Sequence, residues 1–488
     1  MPTADVVVVG AGLAGLVTTY ELARRGAAVV LLAKGHASTH WAAGTLDVAA
    51  LPRSATPRDG VRTLAELPNH PYAVLRDDVE PAVTGFVDLV ERAGLPYVGG
   101  LDTPIRALPT GIGGTRPAAI VPEGMAAAMT PWGADEMLVL CGIGGFKDFW
   151  PDAVAASLSR PSVWQAAVDG PDTASDGPPG STGVRPGIAP HAVVAVTADL
   201  PGLAGRHNLS AVHVARGFDD RAWRDAAIDA IGRAVDGAGV RGRPFRIGLP
   251  AVLGLDDHRE TLTAFETRLG VPVFELPLVP PSVPGMRLFD VLRTAIRQAG
   301  GRIQLGESVS RVEVEGARVR LVATPAAVRE FAVRTEALVI ATGGLTGGGI
   351  VGQPDGRLEE VVLGLPVEAP SRGAWFAADA LDPTGHPIEA AGVRTDPELR
   401  PVRHDGRASH SNVRVVGSLL AGQRWLGERC GEGVALASAG RAAVSLAAGG
   451  FRGVQPLLAT ADTTSSQVRA RGGAVEPGVG PDSLAPAR

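Results

Sequence analysis

Three glycine-containing segments carry the residue types that let a backbone approach an anionic cofactor. The first, Gly10-Ala11-Gly12-Leu13-Ala14-Gly15, lies between a β-branched run at residues 5–10 and a helical stretch at 13–25. In that setting Gly10 permits the tight turn, Gly12 lets the backbone approach a phosphate, and Gly15 lets helix pack on strand. The helix N-terminus then offers free N–H groups and a partial positive charge to the anion. The second segment, residues 337–344, reads as a buried strand that ends in Thr342-Gly343-Gly344. Bulky side chains there would hold a cofactor away from the backbone. The third joins Val415-Val416-Gly417-Ser418 to Cys430-Gly431-Glu432-Gly433-Val434, which opens an Ala-rich helix. Such a helix start stabilises developing negative charge and lowers the pKa of a thiol, so Cys430 is either a small packing residue or a redox group. The pairing of the first two segments reads as a flavoprotein with two dinucleotide motifs.

One expected residue is missing. The strand at 28–33 should be followed by an acid that grips the ribose of an adenosine. Here it ends in Leu31-Leu32-Ala33-Lys34. FMN has no adenosine and needs no such acid, and Lys34 is then available for a phosphate. FAD, with its ribose held by backbone or water, is the other choice.

These segments require a scaffold of buried parallel strands. Continuous apolar runs at 5–10, 28–33 and 337–341 suit strands covered on both faces, with a further strand at 412–416. Helical spacing at 288–298 leads through Gly300-Gly301 to a short strand near 302–305, and residues 309–335 alternate like an antiparallel meander. Strand–helix alternation at both ends of the chain predicts an α/β, Rossmann-like flavoprotein domain that is discontinuous in sequence. Its expected parts are 1–50, 285–350 and 406–451. Residues 60–284 and 352–405 would form an inserted α+β cap or substrate domain. Residues 52–60 read as an exposed loop, 170–190 as a mobile insertion rich in Pro, Gly and Ser, and 452–488 as a disordered tail.

Composition narrows the function. The chain has 488 residues, with Lys+Arg 46 against Asp+Glu 51 and a net charge of −5, so no general electrostatic reason to bind nucleic acid exists. Two cysteines, Cys141 and Cys430, cannot build a four-cysteine iron–sulfur cluster or structural zinc site, and no metal site is expected. The N-terminus lacks the basic region of a secretory signal, and no run of about 18 apolar residues spans a bilayer.

The chain resembles the B subunit of anaerobic glycerol-3-phosphate dehydrogenase. The resemblance is carried by His40-Trp41-Ala42-Ala43-Gly44-Thr45-Leu46-Asp47, by His70-Pro71-Tyr72, and by the segments at 140–149, 250–255, 278–288, 372–376, 392–401 and 417–435. The stretch at 278–288, LVPPSVPGMRL, is the most distinctive, and the order is preserved over roughly 4–450. The 170–190 insertion, the long tail and the 107–131 region depart from the pattern. The resemblance implies a complex of three kinds of subunit: a catalytic A subunit with FAD, this B subunit with FMN, and an iron–sulfur C subunit at the membrane. It implies oxidation of sn-glycerol 3-phosphate, a small phosphate ester, to dihydroxyacetone phosphate, with electrons passed to the quinone pool. The location implied is cytoplasmic, peripheral at the inner face of the membrane through a partner subunit.

Such chemistry needs a flavin, cations for the phosphate and a base for the hydroxyl proton. Arg287, Arg372 and Arg400 lie in distinctive stretches and are candidates for the phosphate clamp or for structural roles. His70, His386, His404 and His410 are base candidates that spacing does not separate, and His-Pro-Tyr at 70–72 reads equally as a capped turn. The expected cofactor contacts are Gly10, Gly12, Gly15, Lys34, Gly44, Thr45, Thr342, Gly343, Gly344, Gly417, Gly431, Gly433 and Val434. Two other functions remain open at this level: a self-sufficient FAD-dependent dehydrogenase or oxidase of another substrate, and a flavin-free structural role in the same complex.

Overall fold

Glycine-punctuated strands at the two ends of the chain meet in one sheet. The computed structural model describes residues 1–52, 54–169, 187–325, 331–380, 382 and 385–450. The tail at 452–488 and most of the 170–190 insertion lie outside these residues. Thr3–Val9 is buried from Ala4 onward because it runs between two parallel neighbours, Val29–Ala33 and Phe331–Ile340. Arg302–Leu305 extends the parallel side. Arg311–Glu315 and Arg318–Thr324 form the antiparallel meander on the other flank, completing a seven-stranded sheet with Val413–Val415. The long strand Phe331–Ile340 serves both arrangements. Its first residues pair with the meander, and Leu338–Ile340 pair in parallel with Val413–Val415. Two helices, Leu13–Ala23 and Gly431–Ala447, pack on each other; the second is Ala-rich and buried along most of its length. The small side chains permit that close approach.

The segment expected to be α+β departs from the expectation. Its main sheet runs Val273–Leu276, Phe245–Pro250, Met137–Ile143, Ala192–Ala198, and every pairing is parallel. The reason lies in the strands. Met137–Ile143 and Phe245–Pro250 are buried on both faces, and helices such as Arg221–Gly237 and His258–Leu269 make the crossovers. Among the described residues, antiparallel pairs in this region are short, such as Arg106–Pro109 with Thr115–Ala118. Both sheets lie within one compact unit.

The loop expected at 52–60 is also shorter than the composition suggests. Thr56 caps a helix over Pro57–Ala65, accepting from the Asp59 N–H at 3.3 Å, with Pro57 at the first helical position. Among the described residues no helix is long and apolar enough to cross a membrane.

Candidate functional site

The C-terminal ends of the parallel strands converge on the first glycine turn. Gly10 has φ of 113°, and a Cβ there would collide with the Ala341 carbonyl. Gly15 faces the Gly10 carbonyl so closely that any side chain would drive the helix off the strand. Gly12 is different: it precedes the helix Leu13–Ala23, and a Cβ on it would meet only Ala37, at 4.0 Å. The helix N-terminus is therefore open above Gly12, as phosphate binding requires. Gly343 and Gly344 reach the same place, where the Gly344 N–H donates to Ser418 Oγ at 3.3 Å. Gly417 packs against Ala14. The structure thus gathers Gly10, Gly12, Gly15, Thr342, Gly343, Gly344 and Gly417, drawn from three distant segments.

Several buried polar atoms lack partners within the protein, and those of Thr342 and Gln423 lie at this cradle. Thr39 Oγ1, Thr342 Oγ1 and Gln423 Oε1 are each buried without a hydrogen bond. An unmet buried polar atom is costly, so a ligand seated in the cradle that offers partners to Thr342 and Gln423 is favoured there. Gln423 is 1% exposed and its amide donates to the Gly417 and Leu420 carbonyls at 3.1 Å each, which fixes its free oxygen. These residues and the glycine cradle fit a flavin phosphate with its attached ring system. Gln423 and Thr39 are not legible as site residues in the sequence, because neither belongs to a glycine signature. Lys34 is exposed at the end of the second strand.

A second group lies where residues 37–47 run from beside Gly12 to the start of the last helix. There the Gly433 N–H donates to the Asp47 carbonyl at 3.1 Å, and a side chain at Gly433 would collide with the Tyr72 hydroxyl. Tyr97 donates to the Gly44 carbonyl at 2.6 Å, holding the Gly44-Thr45 turn. Gly431 and the fully buried Val434 complete the junction. At its centre stand four charged side chains. Arg116 makes a close ion pair with Asp47, Arg429 lies 4.0 Å from Asp47, and the Asp47 N–H donates to Glu432 Oε2 at 3.3 Å. Thr45 donates to the other Asp47 oxygen at 3.2 Å. As a residue Glu432 keeps some solvent contact, yet its carboxyl is enclosed. That desolvation, with the Asp47 charge, pushes it up to about 7. Asp47 and Glu432 sit in stretches noted for their resemblance, but nothing in their spacing joins them to Arg116, which lies in a hairpin of the less familiar region.

The expected catalytic candidates land elsewhere. Arg287 is buried, with its two terminal nitrogens on Glu275 at 2.7 and 2.9 Å and its Nε on the Gly254 carbonyl at 2.7 Å. Each of its three guanidinium nitrogens has a buried partner, so Arg287 ties its helix to the second sheet and is not free to clamp a phosphate. Arg400 is held by Asp396 at 2.6 Å and Glu398 at 2.8 Å. Arg372 is exposed in a short turn beside Gly356. The structure does not bring the three arginines to common neighbours.

His70 is buried and its ring is fixed. Its Nδ1 accepts from the Tyr72 N–H at 3.0 Å, which leaves the proton on Nε2, directed at Glu428 Oε2 3.3 Å away. Cys430 Sγ lies 3.8 Å from His70 Nε2 and 3.6 Å from Glu428 Oε2. Three potential metal ligands thus stand together. The Tyr72 N–H nonetheless holds His70 in the tautomer whose Nε2 has no lone pair to give, so the group reads as a hydrogen-bonded clamp. Burial alone would raise Glu428, but its hydrogen bonds from His70 and the Arg424 N–H outweigh that and leave it lowered. Cys430 runs against the effect expected from its helix start: burial and the neighbouring Glu428 push its thiol well above the ordinary value. His386 accepts from the Ala377 N–H at 3.1 Å in a turn, and burial lowers the pKa of His410.

Residues 5–434 match the family described as an FAD binding domain. A probable B subunit of anaerobic glycerol-3-phosphate dehydrogenase from Halobacterium salinarum is 32% identical over 447 residues, covering 89% of this chain and 95% of that protein. The B subunit of anaerobic glycerol-3-phosphate dehydrogenase from Yersinia pestis is 31% identical over 455 residues, covering 89% and 96%. Among solved structures, a flavocytochrome c3 fumarate reductase aligns with 92% of this chain and 78% of its own at 10% identity, with a TM-score of 0.40. The family match and the mixed α/β sheets describe an FAD-binding flavoprotein fold, and the cradle and the family agree on a flavin cofactor.

Proposed function

This chain belongs to the family of B subunits of anaerobic glycerol-3-phosphate dehydrogenase, which are oxidoreductase components, and on that footing we propose a specific place for it in electron transfer. It is the flavin-bearing component of a complex that oxidises sn-glycerol 3-phosphate to dihydroxyacetone phosphate. Electrons pass to an iron–sulfur partner and on to the quinone pool. The partners are a catalytic, FAD-bearing A subunit and an iron–sulfur C subunit, through which this chain sits peripherally at the cytoplasmic face of the membrane. The observation that carries the reading is the glycine cradle at Gly10, Gly12 and Gly15, with the unpartnered Thr342 and Gln423 beside its Gly343 and Gly417 turns. The cysteine count supports the division of labour: Cys141 and Cys430 are both buried free thiols, so clusters belong on a partner.

A bound flavin supplies the two-electron acceptor. Within this chain, the N–H groups after Gly12 hold its phosphate, and the Gly343-Gly344 and Gly417 backbones leave room beside it. The start of the helix Gly431–Ala447 offers positive potential to charge built up on reduction. The flavin proposed is FMN. Its support is the second strand, which ends in Ala33 and the exposed Lys34 with no acid for a ribose; the family's description speaks for FAD. The domain division proposed follows the strands. Residues 1–50, 285–350 and 406–451 bind the flavin, and 60–284 with 352–405 form the cap or substrate domain.

The test is anaerobic reduction of the purified chain and of the complex co-expressed with both partners. Sn-glycerol 3-phosphate should bleach this chain's flavin in the complex and leave the isolated chain oxidised. Bleaching of the isolated chain would mean a self-sufficient dehydrogenase. A complex that turns over while this chain carries no flavin would mean a structural role.

A further inference from the structure

The charged group between residues 44–48 and the last helix brings two guanidiniums to two carboxylates, and parts of it are left unsatisfied. Arg116 Nε is buried without an acceptor. The Arg429 side chain is 35% exposed, and its nearest carboxylate is Asp47 at 4.0 Å, beyond hydrogen-bond reach. Its backbone has φ of 49°, a left-handed conformation that a non-glycine residue holds only when its surroundings impose it. Those surroundings are visible. Glu428 beside it is gripped by His70 and the Arg424 N–H, and the Arg429 carbonyl accepts from the Ala50 N–H at 3.3 Å. Two guanidiniums thus face the group, one with a free buried donor and one reaching toward solvent.

We propose that Asp47, Arg116, Arg429 and Glu432 form an anion site for the charged end of a phosphorylated hydroxy compound. The inference rests on the function proposed above for the class of substrate. Planar guanidinium forks match the oxygens of a phosphate ester, and Arg429 is the one placed to meet it first. The groups facing Glu432 are Asp47 from the 44–48 turn, Arg116 from the strand Thr115–Ala118, Arg429 and the Cys430 thiol from the turn before the helix, and the Tyr72 and Tyr97 hydroxyls. When Glu432 is protonated, two guanidinium charges stand against one carboxylate, and the site is net positive. An anion bound there disfavours the Glu432 carboxylate, so its arrival draws a proton onto Glu432.

Sulfate is the probe, because it resembles a phosphate ester and does not itself titrate near neutrality. Calorimetric titration of the full-length, flavin-loaded chain at pH 7, in buffers of different ionisation enthalpy, measures binding and proton uptake together. Expected is sulfate binding with uptake of up to about half a proton, the unprotonated share of a group titrating near the working pH. Glu432→Gln should bind sulfate at least as well and lose the uptake. Arg429→Gln should weaken binding about 10-fold or more, the loss of roughly one charge-assisted contact. Arg429→Lys, which keeps the charge without the fork, should fall between, and it serves if the glutamine variant does not fold. Unchanged sulfate affinity in the arginine variants, unchanged uptake in Glu432→Gln, or no sulfate binding at all overturns the proposal. A chain that binds sulfate as described but holds no flavin would overturn the proposed function and leave this site standing.

Discussion

Replacing Arg287 by alanine separates a structural arginine from a substrate-binding one. Glu275 and Arg287 are 0% and 2% exposed at their side chains and make a bidentate pair at 2.7 and 2.9 Å. Burial alone would raise Glu275, but the charges of Arg287 and His258, with the hydrogen bonds from Arg287 and the Leu253 N–H, together outweigh it and leave the carboxyl below its ordinary value. Removing the guanidinium strands that carboxylate and also orphans the Gly254 carbonyl, which accepts from Arg287 Nε. The Leu253 N–H, at 2.8 Å, is too little to replace it. Breaking a buried pair from one side costs about 3–5 kcal/mol. Replacing both partners with apolar residues of similar volume, as in Arg287→Met with Glu275→Leu, should recover most of the loss, because no charge is then left buried. Urea unfolding of the flavin-loaded chain at pH 7, followed by tryptophan fluorescence, reads both variants against the parent. If Arg287→Ala unfolds within about 1 kcal/mol of the parent while losing affinity for sulfate or the phosphate ester, the reasoning here is refuted and the phosphate-clamp role returns.

Other outcomes follow from the same geometry. Gly10→Val places a side chain on the Ala341 carbonyl, so the purified variant should carry little or no flavin by absorbance while its circular dichroism stays α/β. Glu432 titrates higher in the folded chain than in the unfolded one, so its protonated form favours folding. That contribution is complete below about pH 4.5 and is lost as pH rises through about 7. Relative to the parent, Glu432→Gln should therefore gain stability between pH 4.5 and 8, by about 1–3 kcal/mol, in urea midpoints taken across that range. Burial pushes Cys141 up to about 12 and Cys430 well above its ordinary value. Neither thiol should react with an alkylating reagent at pH 8 until the chain is unfolded, as mass spectrometry would show.

The parts of this molecule legible in the sequence are those where backbone geometry dictates residue type. Gly10 and Gly15 are readable because a strand and a helix cannot approach there with side chains in place. The buried stretches read at 5–10 and 337–341 lie almost wholly within the strands Thr3–Val9 and Phe331–Ile340, because burial on both faces there demands continuous apolar residues; the exposed Arg334 and Glu336 hide the earlier part of the second strand. The meander is readable from its alternation. Side-chain partnership is not readable in this way. Arg287 sits in a distinctive stretch, but whether it meets a phosphate or Glu275 depends on how its helix lies against the second sheet. The charged group draws Asp47, Arg116, Arg429 and Glu432 from three separate parts of the chain, and no spacing rule joins them. The α+β expectation failed for a related reason. The apolar runs at 137–143 and 245–250 show burial, but not the direction in which their neighbours run. Cys430 shows that a position beside a helix start does not fix a thiol's pKa, since enclosure among carboxylates outweighs the dipole.

The most direct test of the account is to release the chromophore of the purified chain with acid and identify it by chromatography and mass. The account predicts one flavin per chain, and FMN in particular from the strand that ends in Ala33-Lys34 without an acid. FAD would keep the flavin-bearing role and overturn the argument from the missing acid. A colourless chain that takes up neither flavin on reconstitution would contradict the central claim.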